Sequence, residues 1–389
     1  MKFGAHLVPD AWGKILPEDA QWLRPPAEAS ATCANCRMVR REEYRADCQC
    51  CTYYPEVPNF LLGMALEDPA SRSLVERLIA EGHGLPTGFV PSPQTYTRAV
   101  IAYSKDNFGK DPDILCPFMD RETQDCGIYR YRNAVCSTFF CDHEHSESGE
   151  RYWVGVQELV GHTEIALSQW LMDQLGFPAV AYVARLNSLA AEVDTLSGED
   201  GSWSEPARRE LWGDWFGRET EFYRSCAALV NTHRSSLFEE AGTQAVHLPL
   251  IYERAVRESI PDDAKASAPL IPESTGKPLL LDDLWYKLQL LERQLWQLPF
   301  NEGLFLLAPD VVVRRDERPF RLANEPPFCA ERGKESLALT GEEAAALEVF
   351  RNAHGIDEAL FGLPEFLALE DPRASLARWL RRGLLVATS

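Results

Sequence analysis

Apolar positions change their spacing along the chain, and the change divides it into three stretches. Before about Gly149 the apolar runs are brief and broken by Pro and Gly, as in Val57-Pro58-Asn59-Phe60-Leu61-Leu62-Gly63. From 150 to about 302 the spacing becomes helical. Trp153, Val156, Leu159, Val160, Leu167, Trp170 and Leu171 fall on one face of a helix predicted over Tyr152–Leu175, with Gly176 and Pro178 as its stop. A second helix is predicted from Ser204 as N-cap, with Pro206 in its first turn, presenting Leu211, Trp215, Phe222 and Leu229 on one side. A third, over Asp283–Leu298, carries Leu284, Leu288, Leu291, Leu295 and Leu298 as a packing stripe. Between the last two, Pro261–Pro278 reads as a surface excursion.

From about Gly303 the pattern changes again. Val311–Val313 and Phe320–Leu322 read as short strands around a polar turn at Asp316-Glu317. Thr340 reads as an N-cap with Glu343 as its capping-box partner. A last helix over Asp371–Arg382 ends at Gly383, and apolar Leu384-Leu385-Val386 follows. The expected fold class is mainly α with small β elements. A loop-rich, metal-bound N-terminal domain (1–149) is followed by a helical domain (150–302) and a winged-helix-like C-terminal domain (303–389).

The chain has 389 residues, 45% hydrophobic and 25% charged, with 10 Trp, 12 Tyr and 18 Phe to bury, which excludes disorder as its main state. No run of about 18 apolar residues occurs, so no membrane span is expected. The start, MKFGAHLVPDAWG, lacks a basic region followed by an apolar stretch, so a cytoplasmic protein without a secretion signal is expected. A net charge of −20 disfavours nucleic acid and anionic membrane surfaces as partners. From Gly303 onward 11 Lys and Arg face 14 Asp and Glu, which argues against a phosphate-backbone reader there.

Cysteine usage changes the picture. Nine of the 11 cysteines fall between Cys33 and Cys141. Thiols in a reducing compartment do not persist as disulfides, and a dense cluster there binds metal more often. Cys33 and Cys36 are spaced to reach one metal from a tight turn. Cys48, Cys50 and Cys51 follow, then Cys116-Pro117, Cys126-Gly127, Cys136 and Cys141. Pro after Cys116 and Gly after Cys126 leave neighbouring amides exposed to hydrogen-bond a thiolate. The gap between Cys136 and Cys141 also occurs within some iron–sulfur ligand sets. Tetrathiolate sites suit zinc or iron–sulfur clusters, and eight thiolates make two such sites, or one cluster and one zinc. Mixed spacing and adjacent thiols depart from the paired C-x2-C zinc pattern and favour an iron–sulfur cluster over zinc alone.

His143 is a candidate to complete a mixed Cys/His site or to tune one, and His145 a lesser candidate. Glu158 and His162 share a helical face and are expected to be a surface or packing pair. Cys226 is expected as a buried apolar thiol, and Cys329 as a loop residue without a role. No phosphate loop, dinucleotide-binding glycine fingerprint or Gly-x-Ser-x-Gly elbow is present.

The order CANC, CQCCTYYPEVPNFLLG, CPFMDRETQDCGIYRYRNAVCSTFFC resembles the YkgJ-type cysteine-cluster proteins, to whose CxxCxxCC domain zinc or iron chelation is ascribed. Cys126 to Cys136 follows that family's C-x-I-Y-x-x-R-P-x-x-C element, with Asn133 where Pro is common. The first motif departs from the family pattern, since 11 residues separate Cys36 from Cys48. The resemblance implies Cys33, Cys36, Cys50, Cys51, Cys116, Cys126, Cys136 and Cys141 as metal ligands, with Cys48 an extra thiol or a substitute for a neighbour. It implies an iron–sulfur cluster, favoured as 4Fe-4S, or zinc. A related cluster occurs in flagellin lysine N-methylases, which modify protein side chains.

The stretches Leu307-Ala-Pro-Asp-Val-Val-Val-Arg314, Leu337-Ala-Leu-Thr-Gly-Glu-Glu-Ala344 and Trp379-Leu-Arg-Arg-Gly-Leu-Leu385 are similar to PqqD-like domains. Those are small winged-helix modules, many of which bind a leader peptide as an added strand. Three functions are therefore expected to compete. One is a metalloenzyme or accessory factor acting on a peptide or protein; another is a non-catalytic, zinc-stabilised scaffold; the third, metal storage or delivery, needs exchangeable metal and exposed thiols.

Overall fold

The computed structural model describes residues 1–28, 36–189, 195–198, 200–233, 237–241, 280–298, 304–316, 326–333 and 335–388. Helices predominate, and the sheets are small and antiparallel. The segment leading into the first core pairs as β1 (Val57–Pro58) and continues directly into helix α1 (Asn59–Glu67). Strand β2 (Gly84–Leu85) and strand β3 (Gly88–Phe89) complete this sheet, with β3 in the middle. Gly88 has φ of +136°, and a Cβ there would lie 2.1 Å from the Val57 carbonyl oxygen. Only glycine lets the two strands approach so closely.

The short helix α2 (Ala134–Thr138) precedes the spine of the first core, α3 (Ser146–Gln174). Of the stripe expected from the apolar spacing, α3 buries Trp153, Val156, Leu159, Val160, Leu167 and Leu171, leaves Trp170 half-buried and adds Tyr152. It starts six residues before Tyr152, because its first turn is polar and carries no apolar period.

The single helix expected from Ser204 through Leu229 is instead two. Glu205–Trp212 ends at Gly213 (φ +52°), and α4 (Glu219–Thr232) begins after Gly217 (φ +83°). The apolar residues still converge, with the Trp212 and Phe222 rings 5.4 Å apart. α4 lies against α1 so tightly that a Cβ on Gly63 would stand 1.9 Å from the Tyr223 carbonyl oxygen. Helix α5 (Leu281–Trp296) packs on α3 through Leu284, Leu288 and Leu295, and Gly155 of α3 leaves room for Leu291. This core joins Trp12, Phe60 and Phe89 to Trp153, Leu167 and Phe222, so residues on both sides of position 149 contribute to it.

A second, separate core runs from Phe305 to Leu385. It holds strand β4 (Leu304–Leu307), β5 (Val311–Arg315), β6 (Phe328–Arg332) and β7 (Glu335–Leu339). Helix α6 (Gly341–Val349), strand β8 (His354–Gly355), short helices over Ile356–Gly362 and Pro364–Leu367, helix α7 (Pro372–Arg381) and strand β9 (Leu385–Ala387) complete it. The sheet orders are β8-β4-β9 and β5-β6-β7.

β5 forms where a strand was expected, and its partner is β6, in register Val311↔Arg332. The other expected strand, Phe320–Leu322, and the excursion Pro261–Pro278 lie outside the described residues. The capping box closes: Thr340 Oγ1 accepts from the Glu343 N–H at 3.1 Å, and the Glu343 carboxylate accepts from the Thr340 N–H at 3.0 Å. Cys329 is buried within β6, not in a loop. Among the described residues no helix is long and apolar enough to cross a membrane.

Candidate metal centre

Local chain geometry carries the sulfurs inward. Gln49 takes a left-handed turn (φ +52°) between Cys48 and the Cys50-Cys51 pair. The Cys116 N–H then donates to the Cys51 carbonyl at 2.6 Å, which stitches the second cysteine stretch to the first. Cys126 pairs across an isolated bridge with Met119. Asn133 starts α2: its Oδ1 accepts from the Cys136 N–H at 3.0 Å, and its Nδ2 donates to the Glu56 carbonyl at 3.0 Å. Arg41 and Asp142, paired at 2.6 Å, tie the residues beyond Cys36 to those beyond Cys141.

As a result Cys36, Cys50, Cys51, Cys116, Cys126, Cys136 and Cys141 all line one cavity of about 480 Å³. None of the seven is in a disulfide. Much of the remaining wall is aromatic, including Tyr53, Phe108, Phe118, Phe139 and Phe140. Among the described residues one guanidinium, that of Arg132, joins the lining. It sits 3.8 Å over the Tyr129 ring, and its Nη1 donates to the Cys136 carbonyl at 3.1 Å.

Electrostatics follow from enclosing many thiols with little positive charge. Cys36 and Cys141 share a proton. The bond from the Cys141 thiol brings Cys36 down to about 6, helped by the amides of Met38 and Val39, and the same bond pushes Cys141 up. The bond with Cys51, and then burial, raises Cys50 well above the ordinary thiol range. Burial raises Cys116 in the same way, with Cys136 and Cys126 adding to it, although the Phe118 amide points at its sulfur. Burial also pushes Cys136 up to about 12. Cys50, Cys116 and Cys136 are therefore thiols that ionise only when a cation arrives to replace lost hydration, whereas Cys36 is already a thiolate at neutral pH.

No family model, curated protein or solved structure matches the chain.

Cys33 lies outside the described residues. Cys48 is buried but is not part of the cavity lining; its sulfur stands 3.7 Å from the Asp47 carboxylate. Cys226, on α4, and Cys329 are buried and likewise do not line the cavity. Nor does His143, whose Nδ1 is 3.3 Å from the Glu28 carboxylate. His145 packs against Trp296 and is pushed down to about 3 by burial, with Arg378, Arg381 and Arg382 adding to the effect. His162 Nδ1 meets the Glu158 carbonyl at 2.7 Å, while the Glu158 carboxylate pairs with Lys287.

Among the described residues no group of three or more His, Cys, Asp or Glu side chains is arranged to hold a metal ion. The seven cysteines instead line a shared volume. The aromatic wall, Arg132 and Glu28 were not singled out from sequence. The capping role of Asn133 carried a legible signal, an Asn directly ahead of a helix.

Proposed function

We propose that the chain is a cysteine-cluster metalloprotein of the YkgJ kind, holding an iron–sulfur cluster of the four-iron type and acting in the modification of a peptide or protein. The observation that carries this is seven cysteines lining one cavity, with Arg132 the one arginine or lysine among its described lining residues. The donor set fits: soft thiolates suit iron–sulfur clusters or zinc. Amides aimed at the sulfurs of Cys36 and Cys116 are the hydrogen bonds that tune such clusters. Cys116, Cys126 and Cys136 lie within reach of one another's charge, and Cys50, bonded to Cys51, lies within reach of Cys116 and Cys136 on one side and of Cys36 and Cys141 on the other. Cys36 and Cys141 are bonded to each other, with Cys33 near Cys36 in sequence.

When bound, the cluster would supply electron transfer or an electrophilic iron. The chain's own part is to hold the sulfurs, bring amide dipoles to them and exclude water with aromatic rings. The winged-helix-like C-terminal region is the element assigned to hold the peptide. Zinc in the same thiolates would make the protein a non-catalytic scaffold.

Oxygen-free purification followed by a visible spectrum and metal and sulfide analysis tests this. Brown protein with iron and acid-labile sulfide is the expected result. Colourless protein with stoichiometric zinc assigns the scaffold function instead. Reduced, oxygen-free protein without any transition metal would overturn both.

A further inference from the structure

The link between Cys141 and α3 has no regular structure of its own, and α3 opens on a left-handed Ser146 (φ +53°). Side chains therefore set its geometry, and they come from both cores. From the first core, Arg41 pairs with Asp142. The buried Glu28 carboxylate accepts from the Glu144 N–H at 2.5 Å and from the Trp153 indole at 2.8 Å.

From the second core, α7 and the residue after it contribute three guanidinium groups. Arg382 donates to the His143 carbonyl and, at 3.1 Å, to the Glu144 carbonyl. Arg378 stands 3.7 Å from the Glu144 carboxylate and pairs also with Glu343. Arg381 Nη1 is 3.5 Å from His145 Nδ1, and its Nη2 donates to the Gln294 carbonyl of α5 at 2.7 Å. The Arg378 and Arg382 side chains are only 14% and 11% exposed, unlike a loose surface pair.

We infer that Arg382 is a positioning residue for the sulfur-lined cavity: by gripping two successive carbonyls it fixes Cys141, and so builds the C-terminal core into the centre. The inference rests on the function proposed above. A planar fork of donors suits adjacent carbonyls, and an ammonium does not reproduce it. Arg382 also reaches the Glu335 carboxylate at 3.4 Å. Glu335 begins β7, an outer strand of its sheet, so the same guanidinium joins a sheet edge to the link behind Cys141.

The test uses the full chain, with Arg382→Gln and Arg382→Lys beside Arg351→Gln, which breaks an exposed pair with Glu348 in the same core. One readout is the rate of metal loss to a chelator, with the visible spectrum. The other, on metal-free protein, is the alkylation rate of Cys141 relative to buried Cys226, mapped by mass. Arg382→Gln is expected to lose metal and to expose Cys141 about tenfold faster, with Cys226 unchanged. Arg382→Lys should recover part of both, and Arg351→Gln should match the parent.

Parental rates for Arg382→Gln in both readouts would overturn the inference. If Cys226 also becomes reactive, that variant has unfolded, and Arg382→Lys decides: faster metal loss and Cys141 labelling support the inference, parental rates overturn it. If the parent itself holds no metal, the proposed function fails, while the Cys141 to Cys226 ratio still tests Arg382.

Discussion

Replacing Asn133 by Ala removes the bonds that one 4%-exposed side chain makes to the Cys136 amide and the Glu56 carbonyl. The helix it starts is only five residues long, too short to hold itself by propensity. Losing the cap costs about 1 kcal/mol. Stranding the Glu56 carbonyl without its donor costs about 1–3 kcal/mol more. The expected destabilisation is therefore about 2–4 kcal/mol, and Cys136 loses the anchor of its own amide. A serine hydroxyl at the same position would keep an acceptor for the cap but lose the Glu56 contact, so Asn133→Ser should cost about 1 kcal/mol less than Asn133→Ala. Urea titrations of reduced, metal-free protein, followed by near-ultraviolet circular dichroism, measure both. An Asn133→Ala loss below about 0.5 kcal/mol, or an Asn133→Ser loss equal to it, would refute this reasoning.

Other expectations follow from single contacts. Burial raises Glu164 to about 8, and its carboxyl accepts the Ala134 N–H at 3.0 Å. The unfolded chain gives up this proton near 4.5 and the folded chain near 8, so stability falls as pH rises between them, by at most ~5 kcal/mol at about 1.4 kcal/mol per unit. Glu164→Gln should remove that slope in denaturation series at several pH values; an unchanged slope would reject it. Gly63→Ala should lower the melting temperature, because forcing α1 from α4 costs about 1–3 kcal/mol, against roughly 1 kcal/mol gained in helix propensity. Cys116→Ser and Cys136→Ser should lose bound iron on analysis of oxygen-free protein, whereas Cys48→Ser and Cys226→Ser should retain it; equal retention by all four would count against the assigned ligand set.

Local periodicity made α3 legible, because a long apolar stripe at helical spacing needs no partner to be recognised. The Thr340 cap was legible for the same reason, since both its residues are close in sequence. The break at Gly213 was hidden. Leu211 and Phe222 keep apolar character on either side of it, and the rings meet again after the detour. Strand partners were hidden too: nothing within Val311–Arg315 states that Phe328–Arg332 will pair with it. At the centre, spacing marked out the cysteines, but a histidine's allegiance depends on distant chain. His143 turns to Glu28, a residue far away in sequence that carries no motif.

The cysteines that share the cavity span the chain from Cys36 to Cys141, so 104 residues separate the first from the last. During synthesis the early thiols emerge well before their later companions exist. The enclosure cannot close until the ribosome has passed Cys141, and its pairings are of high contact order, which slows folding. For that interval the nascent protein carries Cys36, Cys50 and Cys51 unsheltered. Cells making it therefore need either fast elongation through this stretch or a thiol-guarding environment, and truncation anywhere before Cys141 should yield an oxidation-prone fragment.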